Sequence, residues 1–528
     1  MSLVAFLRSF GCRYLTKSRI AFTIFAIVYA SFLLMNLGYN SIRWDELVHV
    51  MGAWQLIHGR FTEYLTSSTF YPPMFNLIIS AYFTIGGANA VCARLVAVTF
   101  ALLSLFILFE FVNKMYDSKV ALLSVVFFAV MPGVVWASRF AYIETMLEFF
   151  FLLSLFLFFL WLQNGGNRYI IAGGVTLGFG FLVKYQMLVA GLVMFGALSV
   201  LGWTYLKSRL SRFSLLILTA AIIAAIWFVI VYIYAPGTLN SWVYAIFVGD
   251  QKRSLYSMRF STPIFYLVEM VQPYPDMHPV SLLLYLLGFA GLGFLAWQRK
   301  MQSKFLLVWF AVVYVVFTFV GNREWRYVMP LFPVLAISAS SFVSFAYNRT
   351  KASWESLVAT HRRRKVAKVA ALFLVLFTTS AVLVSCADSY HWIVWDQVSI
   401  PLQEAVSYVA ARIQPNESVA LVCTFELFSG GMASFYLQTC DKRNSVFQYP
   451  TLPVDTFKPT FSLDELVTLC QQNNVRYVLM SEHHWTATYF SSTLTPQEVA
   501  KLIADSGRFT NIETLGTIPD RIFIMTFA

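Results

Sequence analysis

Residues 19–38 read Arg-Ile-Ala-Phe-Thr-Ile-Phe-Ala-Ile-Val-Tyr-Ala-Ser-Phe-Leu-Leu-Met-Asn-Leu-Gly, and the chain then reaches Arg43-Trp44-Asp45-Glu46-Leu47-Val48-His49. The first stretch has the length and apolarity that cross a bilayer. The second sets paired carboxylates just outside it, in a chain whose charged residues amount to only 12%. Acids in such a place are costly and point to function.

The rest of the sequence repeats the first theme. Of 528 residues, 59% are hydrophobic and the mean hydropathy is +0.67, which excludes an ordinary soluble globular protein. Apolar blocks over 19–38, 91–112, 119–137, 141–162, 169–184, 187–205, 213–234, 279–297, 304–320, 327–346 and 367–387 predict a polytopic α-helical membrane protein with about eleven transmembrane helices. Gly173, Gly174, Gly178 and Gly180 make the 169–184 span one that packs closely on its neighbours. The first block lacks a small-residue cleavage site and is expected to anchor the chain. The six cysteines form no metal-like pair; Cys423 and Cys440 could join or stay as free thiols.

The net charge of +12 is explained by topology. Basic residues concentrate on one side of the spans, in Arg8 to Arg19, Lys207 to Arg212, Arg299 to Lys304 and Arg349 to Lys368. This predicts a cytoplasmic N-terminus and, with an odd number of spans, an extracytoplasmic C-terminus. The run His361-Arg362-Arg363-Arg364-Lys365 is then a topogenic loop facing anionic lipid, and no nucleic-acid partner is expected. The outer segments become 39–90, 138–144, 235–278 and 321–326, and most carboxylates of the membrane half fall in them.

Residues 1–388 are read as the membrane domain and 389–528 as a small extracytoplasmic α/β domain. Its expected strands are 419–423, 475–480 and 522–527, and capping boxes start helices at Ser462 and Thr495. The 39–90 segment is expected to hold one or two interfacial helices before Tyr71-Pro72-Pro73.

Asp45 and Glu46 alone could simply cap a helix. Glu144, in the next outer turn, and Glu148, one helical turn deeper, supply further acids that could line the same cavity. Lys184, Arg323 and Arg326 with Tyr327 place cations on the same face, although single cations there commonly snorkel to the interface. Together they suit transfer from a lipid phosphate: a carboxylate accepts the acceptor's proton while cations stabilise the leaving phosphate. Oxygen ligands at Asp45, Glu46 and Glu144 would suit magnesium or manganese. The rival reading is a membrane transporter or lipid flippase, which would more often show related halves and interrupted helices at the midplane.

The order Asp45-Glu46, Tyr71-Pro72-Pro73-Met74, Ala93-Arg94-Leu95, Glu144, Lys184 and Arg326-Tyr327 with Pro330 and Pro333 resembles the GT-C membrane glycosyltransferases, in particular the protein O-mannosyltransferase and aminoarabinose-lipid A transferase superfamily. The resemblance covers roughly residues 15–345. It implies an inverting hexosyl or pentosyl transferase that takes a monosaccharide from dolichyl- or undecaprenyl-phosphate and passes it to a protein, lipid or glycan acceptor at the extracytoplasmic face. It assigns Asp45 as catalytic base with Glu46 beside it, Glu144 as the second acid, and Lys184, Arg326 and Tyr327 as donor-phosphate contacts, with no obligate metal. In place of the lysine or histidine that those families carry beside the proline motif, Phe70-Tyr71 stand here. The phosphate is therefore expected to rely on Lys184, Arg323 and Arg326, with Tyr71, Arg253, Arg259 and Glu148 as further donor or acceptor contacts. The tryptophan-tryptophan-aspartate signature of oligosaccharyltransferases is absent.

Overall fold

The structure, a computed structural model, describes residues 16–67, 71–240, 258–272, 277–356, 360–395, 397–422, 424, 427–449, 461–483 and 494–528. It divides into two compact units, one made of residues 1–35 with 52–395 and the other of 36–51 with 396–528.

In the helical unit, sequence dictates where helices start and stop. Asn89 accepts a bond from the Cys92 amide and opens Ala90–Met115. Asp117 accepts from the Lys119 and Val120 amides and opens Ser118–Ala129, as short polar side chains do at helix N-termini. That helix and Pro132–Arg139 form one apolar stretch bent by 67°, because the proline ring cannot continue the hydrogen-bond ladder. Further long helices are Lys17–Leu34, Glu144–Asn164, Trp203–Tyr234, Met301–Thr318, Phe332–Glu355 and His361–Trp395.

Seven helices among the described residues are long and apolar enough to cross a membrane, or eight if the bent pair counts as one span. All eleven predicted stretches are helical, but Asn167–Phe181, Tyr185–Val200 and Leu282–Gln298 are shorter. The multi-pass character stands, and the count of eleven reaches beyond what these lengths support. The glycine-rich helix packs as its composition demands: a Cβ on Gly174 would lie 2.6 Å from the Leu216 carbonyl oxygen, and one on Gly178 2.8 Å from Ile223. Two helices, Trp44–Ile57 and Phe61–Ser67, precede the Pro72-Pro73 turn, and a third, Met74–Gly86, follows it.

The second unit is α/β. Its five-stranded sheet has the order β2-β1-β3-β5-β4, with β1 Ser418–Val422, β2 Val446–Tyr449, β3 Val475–Ser481, β4 Phe509–Leu515 and β5 Ile522–Phe527. β2, β1 and β3 run parallel; β5 is antiparallel to β3 and to β4. Buried Val422, Leu466, Val478, Met480, Ile503 and Met525 contribute to its core. Thr495 and Glu498 complete a capping box, and Ser462 accepts from the Glu465 amide. Cys440 and Cys470 are free thiols, whereas Cys423 lies outside the described residues.

The unit boundary differs from the sequence reading. The final long helix runs on to Trp395, so residue 388 falls inside it. Residues 36–51 join the α/β unit through backbone ties: the Ser41 amide donates to the Val398 carbonyl at 3.0 Å, the Ile400 amide to the Ser41 hydroxyl at 2.7 Å, and the Val398 amide to Asn40 Oδ1 at 2.9 Å.

Candidate functional site

Glu144 opens the Glu144–Asn164 helix directly after an extended break at Phe140, and a carboxylate is favoured at that positive end of the helix. Lys184 follows Asn167–Phe181 in extended backbone, just before the 3-10 turn Tyr185–Met187. The two meet in a buried ion pair, Lys184 Nζ to Glu144 Oε1 at 3.0 Å. Burial removes the water that would weaken the attraction, and removing either partner would strand the other.

Around this pair the structure gathers the aromatic and cationic residues of 321–327. Lys184 Nζ lies 4.9 Å from the centre of the Tyr327 ring, a cation–π contact. Tyr327 accepts a bond from Asn322 Nδ2 at 3.2 Å. Arg326 pairs with Glu324, lies 5.4 Å from the Tyr142 ring centre, and its charge also acts on Glu144. Arg323, 3% exposed, donates to the Val320 carbonyl at 3.1 Å and faces Phe265 at 5.9 Å. Three cations thus stand with two carboxylates at the ends of apolar helices. The Met74 amide donates to the Leu182 carbonyl at 3.0 Å, which ties the Tyr71-Pro72-Pro73 turn to the residues just before Lys184.

Glu148 is buried beneath Glu144, with no hydrogen bond to either oxygen among the described residues. Arg259 is exposed and stacks on Phe260 at 5.5 Å. Arg253 lies outside the described residues.

Asp45 and Glu46 belong to the α/β unit and occupy the first turn of Trp44–Ile57. Glu46 is 1% exposed and accepts the Arg43 amide at 2.9 Å, reaching back to the helix start as in a capping box. Asp45 is half-buried. Of the pair, it holds the more accessible carboxylate. In the same unit a Cβ on Gly431 would sit 3.3 Å from Leu47, so a glycine lets this turn pack against the Gly430–Thr439 helix.

Other charged residues gathered in the helical unit went unassigned in the sequence reading. Arg94, fully buried near the start of the Ala90–Met115 helix, faces Phe140 at 5.3 Å. Arg139 donates to the Leu33 carbonyl at 2.5 Å. Their signal was present in the sequence, since an arginine inside an apolar block is rare without a role. Glu269 is buried, with neither carboxylate oxygen hydrogen-bonded among the described residues. Burial, and then the nearby Glu324 charge, push its pKa up to about 7. Among the described residues no group of three or more His, Cys, Asp or Glu side chains is placed to hold a metal ion.

The fold is similar to that of solved GT-C membrane proteins. Residues 71–234 match the model of the dolichyl-phosphate-mannose-protein mannosyltransferase family. The chain is similar to ArnT from Cupriavidus metallidurans: TM-score 0.63 and 13% identity to the apo structure, covering 96% of this chain and 97% of that one. Against the same protein bound to undecaprenyl phosphate the TM-score is 0.60 at 14% identity, with coverage again 96% and 97%. The archaeal oligosaccharyltransferase AglB from Archaeoglobus fulgidus, in complex with an inhibitory peptide and a dolichol-phosphate, matches with TM-score 0.54 and 14% identity over 88% of this chain and 69% of that one. An uncharacterized protein of Aquifex aeolicus (strain VF5) is 23% identical over 320 residues, 58% of this chain and 61% of that relative's length.

Proposed function

We propose that the protein transfers a monosaccharide from a polyprenyl-phosphate carrier to a protein, lipid or glycan acceptor at the extracytoplasmic face of a membrane. The observation that carries this reading is the buried cluster of Glu144, Lys184, Arg326 and Tyr327 at the ends of bilayer-length helices. Its likeness in fold to ArnT, solved with undecaprenyl phosphate, supports a phosphate-linked lipid as the donor.

In this mechanism the donor's phosphate is met by Lys184 and Arg326, with Arg323 beside them in sequence. Glu144 holds the Lys184 ammonium in one orientation, so little reorganisation is needed when charge develops on the phosphate. The acceptor's nucleophilic atom attacks the anomeric carbon, the bond from that carbon to the phosphate oxygen breaks, and the acceptor's proton passes to Asp45. Configuration inverts and polyprenyl phosphate leaves. Because Asn40 and Ser41 tie the Asp45 turn to residues 398–400, the α/β unit has the role of positioning the base. The fold and spans support a multi-pass membrane location, with the N-terminus cytoplasmic in this reading.

The test is transfer of radiolabelled sugar from a panel of polyprenyl-phosphate monosaccharides to native membrane extract, by purified wild type and Asp45→Asn. Transfer by wild type with loss in Asp45→Asn is expected. Full turnover by a well-folded Asp45→Asn would remove Asp45 from the base role. Donor binding without any transfer would turn the reading towards a lipid flippase.

A further inference from the structure

At the other end of the Phe332–Glu355 helix, a second charged region has no part in the proposed transfer. Between the last turns of that helix and the first turns of His361–Trp395 lies an open cavity of about 1160 Å³. Both walls belong to candidate membrane spans. On the first wall, Phe342, Phe345 and Arg349 fall on one helical stripe that runs from apolar to cationic towards the helix end. On the second, Arg362, Arg363 and Val366 follow the same order from the opposite direction. The cavity is therefore cationic at its helix-end mouth and apolar further along both spans. Thr350 and Ser353 add hydroxyls to the lining.

The cations are not neutralised from within. Among the described residues none of the three arginines makes an ion pair; Glu355 is turned to Lys351 at 3.8 Å. The first turn of His361–Trp395 holds no acid at all, although cations there oppose the helix dipole. Positive charge set against the dipole, beside an apolar cavity in the walls of two spans, calls for an anion that carries its own apolar tail.

We propose that this cavity binds an anionic phospholipid, with Arg349, Arg362 and Arg363 taking the headgroup phosphate and Phe342, Phe345 and Val366 lining the path of the upper acyl chains. The inference is independent of the transfer reading, because the site lies at the far end of the helix from Arg326.

The test uses the delipidated full-length protein in detergent and native mass spectrometry of lipid adducts. Probes are dioleoyl phosphatidylglycerol, dioleoyl phosphatidylcholine and free glycerol phosphate. Wild type is expected to retain phosphatidylglycerol and to bind phosphatidylcholine at least about tenfold more weakly. The triple variant Arg349→Gln, Arg362→Gln, Arg363→Gln should lose retention of phosphatidylglycerol by at least about tenfold. Lys351→Gln, Lys365→Gln, Lys368→Gln removes equal charge at the same helix ends but outside the lining, and should retain the lipid. Ala370→Trp, which fills the apolar wall without changing charge, should also weaken retention and serves if the arginine variant does not fold. Equal loss in the lysine and arginine triples would reduce the effect to a general surface field and overturn the site. So would equal retention of phosphatidylcholine. Displacement of the lipid by millimolar glycerol phosphate would show a site for free phosphate instead.

Discussion

The two ends of one helix handle positive charge in opposite ways. At the Trp325 end, Arg326 pairs with Glu324, and the Lys184–Glu144 pair is packed beside Tyr327. At the Glu355 end, about 36 Å from Phe332 for 24 helical residues at about 1.5 Å each, Arg349, Arg362 and Arg363 are exposed and make no ion pair among the described residues. A buried, paired cation has a fixed direction, which suits stabilising charge that appears during a reaction. An exposed, uncompensated cation offers attraction without fixed geometry, which suits holding a headgroup. The same residue types therefore suit different tasks, and burial together with the partner tells them apart.

The largest effect expected from this contrast is on stability. Lys184→Gln should cost about 3–5 kcal/mol, because buried Glu144 would lose the ammonium that is paired with it. Lys184→Gln with Glu144→Gln should recover most of that loss, as read by thermal denaturation in detergent. If the double variant is no more stable than the single, the pair is not the unit described here.

Next in size is an effect on rate. Arg326→Gln should lower sugar transfer by about 10²–10³-fold, the usual range for removing one preorganised donor to a developing charge. Initial rates at saturating donor measure this, and a change confined to KM would show that Arg326 binds ground state and transition state alike.

A third prediction concerns pH. Glu269 has its pKa raised from 4.5 to about 7 in the fold by burial and the Glu324 charge. The folded state thus holds a proton that the unfolded chain releases earlier. The Glu269 contribution to stability should be most favourable below about pH 4.5 and decline as pH rises towards 7, where the carboxyl must ionise in place. Glu269→Gln should raise the thermal midpoint at pH 8 and leave it nearly unchanged at pH 4.5; an equal shift at both would refute the assignment.

Least affected should be the stability of the exposed end. Arg363→Gln is expected to change stability by no more than about 0.5 kcal/mol. A cost near that of Lys184→Gln would erase the contrast between the two ends.

Much of this was legible in the sequence for physical reasons. Long apolar blocks have few alternatives to spanning helices, and the order of acids and cations along 45–327 marked Glu144, Lys184, Arg326 and Tyr327 before geometry joined them. The capping pattern at Thr495 is a local code and was read directly. What escaped the reading is long-range or weakly patterned. β2 is only Val446–Tyr449, and β4, Phe509-Thr-Asn-Ile-Glu-Thr-Leu515, sits at the sheet edge with mixed polarity. The attachment of residues 36–51 to the α/β unit depends on bonds between positions some 359 residues apart, which no periodicity encodes. Glu46 illustrates a local ambiguity: an acid pair beside a span reads as chemistry, and one member caps the helix.

In the proposed mechanism the buried cluster receives a lipid-linked phosphate during sugar transfer. Its most direct test is single-turnover transfer from the polyprenyl-phosphate sugar that wild type accepts, comparing wild type with the folded double variant Glu144→Gln, Lys184→Gln. Rapid transfer by wild type is expected, with a loss of at least about 10²-fold in the double variant and its thermal midpoint retained. Transfer at the wild-type rate by that variant would contradict it.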